Sequence, residues 1–325
     1  MTTDAQILSA LRAAPDGVSG ADLAQRLRIS RAAVWARIEE LRSLGYDIEA
    51  SPHRGYRLLG APDLLHADDL LARLGKTEII GRDIQVFQET TSTNDVVEKL
   101  AHDGVREGVV VFAESQTKGR GRMGRRWVSP PGKGLWFSIL LRPKLRPSAA
   151  TQITILAATA VSRALHELSG LSIEIKWPND LLVRGRKLVG ILTEMSAELD
   201  SVRSVTLGIG IDVNLAAEEL PADLRRIATS LRIETGEELN RAEVAAAVLR
   251  ALDEDYAKIL RGDFQSVADE WESRCATLGE NVTIDIGNRR VRGRAEDLDD
   301  DGALLVRTQH GRLERIIGGD VTIEK

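Results

Sequence analysis

Residues 73–270 alternate between strand-like and helical runs, and this alternation constrains the fold more than any other feature. The strand-like runs are IQVFQE, GVVVFAE, LWFSILL, LSIEIKW and SVTLGIGIDV. The helical runs are NDVVEKLAHDG, ATQITILAATAVSRALHELSG and RAEVAAAVLRALDEDYAKILRG. Because a sheet and an amphipathic helix bury their apolar faces against each other, this mixture predicts a domain in which helices cover a sheet.

Further domains are expected on both sides of this region, since 325 residues make a long chain for one hydrophobic core. Residues 61–72 contain Pro62 and a polar run, and they are predicted to form a linker. Near the end of the chain, the runs VTIDI, RVRGRAEDL, ALLVRT and VTIEK alternate with Gly- and Asp-containing turns, which predicts a small β-barrel. The predicted domains are residues 1–62, 63–272 and 273–325.

Composition and charge narrow the class of protein. The chain is 43% hydrophobic and 29% charged, and no apolar run is long enough to cross a bilayer. The N-terminal sequence lacks the basic start and apolar stretch of a signal peptide, and the single Cys275 has no partner for an internal disulfide. We therefore expect a cytoplasmic protein without membrane contact. Because the net charge is −5, any nucleic-acid contact must come from a local basic patch.

Residues 5–60 have the pattern of a winged helix-turn-helix. A first helical run ends at GVSG, Ser19 is placed to cap a short second helix, and Ser30 is placed to cap a longer third helix, RAAVWARIEELRSLG. Two short strand-like runs follow, YDIEA and GYRLL, joined by SPHRG. Helix, short helix, tight turn, long helix and two-stranded ribbon is the order of winged helix-turn-helix domains.

Arginines in this segment favour DNA as its partner. One window without acidic residues carries four arginines, and the predicted ribbon adds two more. Guanidinium groups suit phosphate oxygens and guanine edges. A small helical module for protein contacts is the alternative, and the basic patch favours DNA over it. The residues expected to contact DNA are Arg28, Ser30, Arg31, Arg37 and Arg54.

The central region contains GRGRMGRRW at residues 119–127. Its three glycines let the backbone approach a ligand closely, and its four arginines make the segment strongly basic. Such a loop suits a phosphate or a carboxylate. It lacks the Gly-Lys-Ser/Thr ending of a Walker loop, and its arginines fill the turn of a dinucleotide fingerprint. Taken alone, the Gly-Arg alternation favours an arginine-rich loop for nucleic acid, and the other motifs of the domain favour the anionic ligand instead.

Three further motifs lie in the same central region. KWPND ends an apolar strand, and its proline forces a turn that displays Asn179 and Asp180, although an ordinary turn pair has the same sequence. RKLVGIL places Lys187 at the entrance of a strand, where a lysine needs an anionic partner unless it protects a sheet edge. The triplet that begins at Ser92 is suited to cap the helix that follows, which is its simplest interpretation.

GRGRMGRRW, KWPND, KLVGIL, TSTND and GIGIDVN occur in the order and spacing of biotin–protein ligases, and the chain resembles that family. The first two motifs together are the most specific part of the resemblance. The predicted winged helix and the C-terminal ALLVRT and GGDVTI runs extend it over nearly the whole chain, as in the bifunctional bacterial members that also repress the biotin operon. The resemblance implies an α+β fold: an N-terminal winged helix-turn-helix, a central mixed sheet like that of class II synthetases, and a C-terminal SH3-like β-barrel.

The resemblance also implies a two-step reaction that uses ATP and Mg²⁺, with biotin as substrate. The biotin carboxylate attacks the α-phosphate of ATP, and pyrophosphate leaves biotinyl-5′-AMP behind. A lysine on the biotin acceptor domain of a carboxylase then attacks the acyl carbon. Arginines and Mg²⁺ offset the repulsion between the two anions of the first step. A mobile Gly-Arg loop that orders over the mixed anhydride would exclude water.

Site residues follow from the resemblance motif by motif. The implied contacts to biotin and adenylate are Ser92, Thr93, Asn94, Gln116, Arg120, Gly121, Arg122, Lys187 and Asp212. The implied catalytic groups are Arg122, Arg125, Lys176, Asp180 and Lys187, with Arg125 on a phosphate and Asp180 as the candidate metal ligand. Hydroxyls and amides suit the ureido group of biotin, which is a neutral donor and acceptor.

Asp212 departs from the family pattern, which usually has Asn at this position of GIGIDVN. A carboxylate here either serves Mg²⁺ or weakens adenylate binding, and both outcomes stay open. Three other functions compete with the ligase-repressor: a lipoate or octanoate ligase, a ligand-sensing repressor without catalysis, and a ligase without repression. The Gly-Arg loop favours biotin, and the arginine patch favours retained repression.

One ligand is expected to couple the two activities. Biotinyl-5′-AMP orders loops on the central sheet, and the ordered surface pairs two protomers into a homodimer. The dimer places two winged helices on a two-fold-symmetric operator DNA. Linkage then requires that dimerisation and adenylate binding strengthen each other equally.

Overall fold

The computed structural model of the chain describes residues 1–324, and its contacts divide the chain into two compact units. The first unit comprises Met1–Lys76 and Asn240–Ala246, and the second comprises Thr77–Leu239 and Ala247–Lys325. The finer division at residues 62 and 272 stays a prediction. None of the helices within the described residues combines the length and apolar character that crossing a membrane requires.

The first unit confirms the predicted winged helix-turn-helix. Its elements are α1 (Thr3–Ala13), α2 (Gly20–Leu27), α3 (Arg31–Ser43), β1 (Asp47–Ser51), β2 (Gly55–Gly60) and α4 (Ala67–Leu74). Ser19 Oγ accepts from the Asp22 N–H at 3.0 Å, and Ser30 Oγ accepts from the Ala33 N–H at 3.1 Å, so both predicted caps form. Strands β1 and β2 pair antiparallel as the ribbon.

The linker predicted at residues 61–72 is wrong in its second half, where α4 forms. Asp69 of α4 is buried and forms ion pairs with Arg12 of α1 and with Arg73 one turn later. The polar run indicates a linker, but here the buried Asp69 is neutralised by arginines of the same unit. Such partners are not visible in the local sequence, and they allow an acidic helix to pack.

The second unit contains the predicted mixed sheet. Its strands are β3 (Asp83–Thr90), β4 (Val109–Gln116), β5 (Gly134–Leu141), β6 (Glu174–Lys176), β7 (Asp180–Val183), β8 (Arg186–Ala197) and β9 (Val202–Asp212). Their order is β3-β4-β5-β9-β8-β7-β6; β3 and β4 are parallel and the other neighbours are antiparallel. Every residue of β5 is buried, which explains why this strand reads as a continuous apolar run.

Helices accompany the sheet in the same unit. They are α5 (Thr93–His102), α6 (Thr151–Ser169), α7 (Leu231–Thr235), α8 (Arg241–Leu260) and α9 (Gln265–Arg274), and the first residues of α8 belong to the other unit. Helix α5 is the crossover between parallel strands β3 and β4. Helices α5, α6 and α8 match the predicted helical runs, whereas α7 and α9 were not predicted.

The chain ends in a small antiparallel domain, as predicted. Its strands are β10 (Asn281–Ile286), β11 (Arg289–Leu298), β12 (Leu304–Thr308), β13 (Leu313–Ile316) and β14 (Asp320–Ile323), in the order β13-β12-β11-β10-β14. Inward-facing apolar residues alternate with exposed polar ones along β10 and β11, which is the pattern of strands with one buried face.

Candidate active site and candidate nucleic-acid interface

Neutral polar side chains cluster where the connection from β3 to α5 meets β4 and β5. Thr93 and Asn94 begin α5, Gln116 ends β4, and Ser138 lies within β5. The Thr93 hydroxyl lies 2.7 Å from Ser138 Oγ, and the Thr93 N–H donates to Gln116 Oε1 at 2.9 Å. Ser138 Oγ donates to Asn94 Oδ1 at 2.5 Å. This neutral cluster offers donors and acceptors without formal charge, which suits a neutral polar ligand group.

Three of the predicted ligand contacts, Thr93, Asn94 and Gln116, therefore share one hydrogen-bonded network. Ser92, which was predicted with them, occupies the N-cap position of α5 and is buried, but its hydroxyl makes no capping hydrogen bond. Sequence reasoning missed Ser138, because a polar residue inside an apolar strand has no local motif. The signal was its type: a buried hydroxyl requires a partner.

Arg120 of the Gly-Arg loop is held by two carboxylates. Its guanidinium donates to Glu194 Oε2 of β8 at 3.0 Å and forms an ion pair with Asp95 of α5. Glu194 also accepts from Asn94 Nδ2 at 2.6 Å, so the loop is linked to the neutral cluster. Neither acid was predicted as part of the site. Asp95 is the last residue of the TSTND motif, whereas nothing near Glu194 in the sequence indicates this contact.

Residues 119–127 form a closed hairpin. The Gly121 N–H donates to the Arg125 carbonyl at 2.7 Å, and the Trp127 N–H donates to the Gly119 carbonyl at 2.9 Å. A Cβ on Gly119 would lie 2.5 Å from the Trp127 carbonyl oxygen, so only glycine fits this close approach. Two of its arginines, Arg120 and Arg122, are half-buried, whereas Arg125 and Arg126 are exposed.

The indole of Trp127 lies directly on the sheet over two facing glycines. Gly190 of β8 and Gly210 of β9 are opposite each other in register. A Cβ on Gly210 would come within 2.5 Å of the indole, and a Cβ on Gly190 would come within 2.6 Å. Lys187 Nζ lies 5.3 Å from the ring centroid on the same indole. Trp127 had no predicted role, although the glycines of VGIL and GIGI were the available signal.

Lys187 brings the predicted polar groups of β7, β8 and β9 together. Its Nζ lies 2.6 Å from Asp180 Oδ1. Asp212 ends β9 and is 6% exposed. Burial raises the pKa of Asp212 well above its ordinary value, and the nearby Lys187 charge opposes that rise. Lys187 is therefore ion-paired with Asp180, and its charge also acts on the buried Asp212.

Arg122 and Lys176 approach the same turn from different elements. Arg122 donates to Asn179 Oδ1 at 3.0 Å, and burial lowers the pKa of its guanidinium while Asp180 opposes that effect. Lys176 ends β6 and is opposite Asp180 in register. Asn179 itself is fixed, because its Nδ2 donates to the Ile191 carbonyl at 2.9 Å. The KWPND turn thus lies beside the Gly-Arg hairpin.

Arg125 is placed apart from this group. Its side chain is 64% exposed and forms an ion pair with Asp320 of β14. The C-terminal sheet therefore contacts the Gly-Arg hairpin, and Arg122 lies close to Gly318 of the same sheet's last turn. The assignment of Arg125 to a phosphate stays a prediction.

Mg²⁺ has few protein ligands to use here. No group of three or more His, Cys, Asp or Glu side chains suited to a metal occurs within residues 1–324. Mg²⁺ is commonly held by one or two carboxylates, with phosphate oxygens and water as its other ligands. Asp180 fits that pattern, because its carboxylate lies between the Gly-Arg hairpin and Lys187.

The first unit presents the predicted DNA contacts unequally. Those that are exposed and form no ion pair within residues 1–324 are Arg28, Arg31 and Arg54. The Ser30 hydroxyl caps α3. Arg37 donates to Glu40 Oε2 at 2.9 Å and lies 3.7 Å from Asp4, so its charge is already partly neutralised. Of the unpaired arginines, Arg28 lies in the turn before α3, Arg31 is its first residue, and Arg54 lies between β1 and β2.

Sequence profiles match three segments of the chain. Residues 4–57 match an HTH domain, residues 86–214 match the biotin/lipoate A/B protein ligase family, and residues 277–323 match the biotin protein ligase C-terminal domain. A bifunctional ligase/repressor BirA from Bacillus spizizenii is 40% identical over 312 residues, which cover 96% of this chain and 95% of the relative. The chain belongs to the biotin protein ligase family. The corresponding Escherichia coli K12 protein is 30% identical over 97% of this chain and 96% of its own length.

Solved structures of the ligase family share the fold. The biotin protein ligase of Aquifex aeolicus in complex with biotin and ATP superposes with a TM-score of 0.64 at 32% sequence identity. The match covers 75% of this chain and 99% of that protein. Family membership therefore agrees with the resemblance drawn from GRGRMGRRW and KWPND.

Proposed function

We propose that this chain is an ATP-dependent biotin–protein ligase and that it also represses transcription through its helix-turn-helix unit. The observation that carries the ligase proposal is the convergence of three features in one unit: the neutral cluster, the Gly-Arg hairpin and Lys187 beside Asp180. They provide for a neutral ring system, for anionic phosphates and for a carboxylate. The substrates in this proposal are biotin and ATP.

In the first step the chain aligns two anions. The neutral cluster of Thr93, Asn94 and Gln116 binds the ureido group. Trp127, whose indole lies on the paired glycines, packs against the apolar part of biotin. A carboxylate oxygen of biotin attacks the α-phosphorus, and the bond to pyrophosphate breaks. Lys187 exchanges its contact with Asp180 for the developing negative charge, which it stabilises more strongly in a site shielded from water. Arg122 adds a second positive charge.

Mg²⁺, held by Asp180 and the phosphates, would supply charge neutralisation for the departing pyrophosphate. In the second step the amine of an acceptor lysine attacks the acyl carbon, the bond to AMP breaks, and the amine loses a proton. The Gly-Arg hairpin excludes water from the mixed anhydride during the wait for the acceptor domain of a carboxylase. No nucleophilic side chain of this chain is required.

The repressor role rests on the helix-turn-helix unit with its unpaired arginines. We propose that biotinyl-5′-AMP is the corepressor, that it promotes a homodimer, and that the dimer binds operator DNA with two-fold symmetry. A cytoplasmic location accompanies this proposal. Adenylate persists when unbiotinylated acceptor is scarce, so repression would set in when the demand for biotin is low.

Mass spectrometry of a complete reaction tests the ligase proposal. The full chain is incubated with biotin, MgATP and a biotin acceptor domain, and the mass of the acceptor is measured. We expect one biotin on one lysine, and bound biotinyl-5′-AMP when acceptor is left out. Lys187→Ala should slow adenylate formation at least about a hundredfold, because one preorganised charge is worth about 3 kcal/mol in such sites. An unmodified acceptor and no pyrophosphate release would refute the proposal.

A matched control separates specific from general effects. Lys144→Ala removes an exposed lysine of the same unit and should leave the rate unchanged. Competition with lipoate and octanoate tests the alternative acyl substrates, because the matched family also contains lipoate ligases. Preferential transfer of lipoate would replace biotin in the proposal, whereas ligand binding without pyrophosphate release would indicate a sensor that lacks catalysis.

A further inference from the structure

We infer that Trp35 reads base identity in the major groove, by packing its indole against the C5-methyl group of a thymine. The inference rests on the proposed DNA binding and adds a residue that was not among its predicted contacts. It starts from an exposed aromatic side chain on α3, the longer helix of the helix-turn-helix.

Trp35 differs from the chain's other tryptophans in its exposure. Its side chain is 57% exposed, whereas Trp136, Trp177 and Trp271 are at most 1% exposed. A single exposed apolar residue is common on protein surfaces, so exposure alone assigns nothing. The position on α3 is what distinguishes it, because Val34, Ile38 and Leu41 of the same helix face the core of this unit while the neighbouring Trp35 stays exposed.

The surroundings of Trp35 are basic and small. Arg31 lies four residues earlier on the same helical face, and Arg28 lies in the turn that precedes α3. Both are exposed and form no ion pair within the described part of the chain. The exposed neighbours Ala32 and Ala36 have short side chains, so the helix backbone can approach a flat or grooved surface closely. A polyanion matches this charge pattern better than an apolar protein partner.

The first eight residues of α3 contain no acidic residue. The first acid after Arg31 is Glu39, one turn beyond Trp35, and its carboxylate accepts from Arg42 Nη1 at 2.5 Å. Recognition helices contact base edges mainly with their N-terminal residues, and Trp35 is the fifth residue of α3. The basic residues would then face phosphates while the indole faces the base edges.

The chemistry of an indole selects one feature of the groove. Thymine is the base that carries a methyl group in the major groove, and apolar side chains recognise it by contact. Removing one buried methyl group costs about 0.8 kcal/mol, which corresponds to about a fourfold loss of affinity. Phosphate contacts, in contrast, do not depend on that methyl group.

The test uses duplex DNA with a randomised 40-base-pair centre as the probe. Full-length protein with biotin and MgATP selects bound duplexes, and the enriched site is remade with deoxyuridine in place of each thymidine in turn. For the wild type, we expect one position at which loss of the methyl group weakens binding about fourfold. For Trp35→Ala, we expect binding to the selected site to be about tenfold weaker and insensitive to deoxyuridine at that position.

Two variants control the measurement. Leu44→Ala truncates an exposed apolar residue at the other end of α3 and should keep both affinity and methyl dependence. Trp35→Phe should keep part of the methyl dependence, and circular dichroism verifies that each variant is folded. If Trp35→Ala retains the wild-type deoxyuridine profile, the Trp35 inference is wrong while DNA binding stands. If wild type enriches no sequence, DNA readout itself is wrong and the inference falls with it.

Discussion

Asp212 is the residue at which this chain departs from the pattern of the family it belongs to. The carboxylate is buried at the end of β9, and burial raises its pKa while Lys187 opposes that rise. An uncharged amide of the same shape would avoid the desolvation of a charge at this position. A negative charge at Asp212 therefore carries a local desolvation cost, and both sequence-based alternatives, service to Mg²⁺ and weaker adenylate binding, stay predictions.

We predict that Asp212→Asn stabilises the protein near neutral pH. The folded-state pKa lies above the ordinary value of 3.8, so the folded state holds this proton more tightly than the unfolded state does. Its contribution is complete below pH 3.8 and is lost as pH rises through the folded-state pKa. Urea unfolding of both proteins should show a gain of about 1–2 kcal/mol at pH 7 that shrinks toward pH 3. A variant less stable than wild type at pH 7 would contradict this reading.

Between elements, one carboxylate joins helix α8 to the segment that leads into β3. Asp253 is 6% exposed and accepts from the backbone N–H groups of Glu78, Ile79 and Ile80 at 2.7, 2.8 and 2.7 Å. These donors belong to no helix or strand, so the carboxylate is what satisfies them. The entry into the sheet is thereby anchored to a helix that lies far away in sequence.

Asp253→Ala is expected to lower the free energy of unfolding by about 3 kcal/mol, because it leaves buried backbone donors without an acceptor. Asp253→Asn keeps one acceptor oxygen and should cost less. Thermal unfolding followed by circular dichroism measures both effects, and Glu254→Ala, which changes the exposed next residue of α8, serves as the control. Equal stability of Asp253→Ala and Glu254→Ala would show that the three hydrogen bonds contribute little.

For the whole molecule, the contact between the C-terminal sheet and the Gly-Arg hairpin has a functional consequence. The ion pair between Arg125 and Asp320 joins the hairpin to β14, although the two residues are 195 positions apart in the sequence. Exposed ion pairs contribute at most about 1 kcal/mol. The C-terminal sheet therefore acts as a modest brace on the segment that is proposed to retain the adenylate.

Asp320→Ala should accelerate release of biotinyl-5′-AMP about two- to fivefold, since a loss of up to about 1 kcal/mol corresponds to that range. Stopped-flow displacement of the bound adenylate measures the rate. Asp285→Ala, which breaks the pair with Arg290 inside the same sheet, is the matched control and should leave release unchanged. The brace is excluded if both variants release adenylate at the wild-type rate.

Dimerisation belongs to the same scale. Because binding and assembly are linked, saturating biotinyl-5′-AMP should lower the dimer dissociation constant by the factor by which dimerisation strengthens adenylate binding, about 5–150-fold. Sedimentation at micromolar protein, with and without adenylate, measures the shift. Arg120→Ala, which frees Asp95 and Glu194 from their partner, should reduce it. Monomers that persist at saturating adenylate would end the corepressor proposal.

Much of the fold was predictable because its signals are local. Ser19 and Ser30 predict where two helices begin, and the strand-like runs predict strands within a few residues of where they form. Helix α4 escaped prediction because its buried Asp69 is satisfied by Arg12, more than 50 residues away. A polar run reads as linker when its partners are remote.

The sequence by itself determined most of the elements, the order of the motifs and the basic residues of the site. Only the tertiary structure decided how those charges are paired: Lys187 with Asp180, Arg120 with two unpredicted acids, and Arg125 with the C-terminal sheet. The reason is physical. Propensity and capping depend on neighbours along the chain, whereas pairing depends on strand order and register, which bring distant segments within a few ångströms of each other.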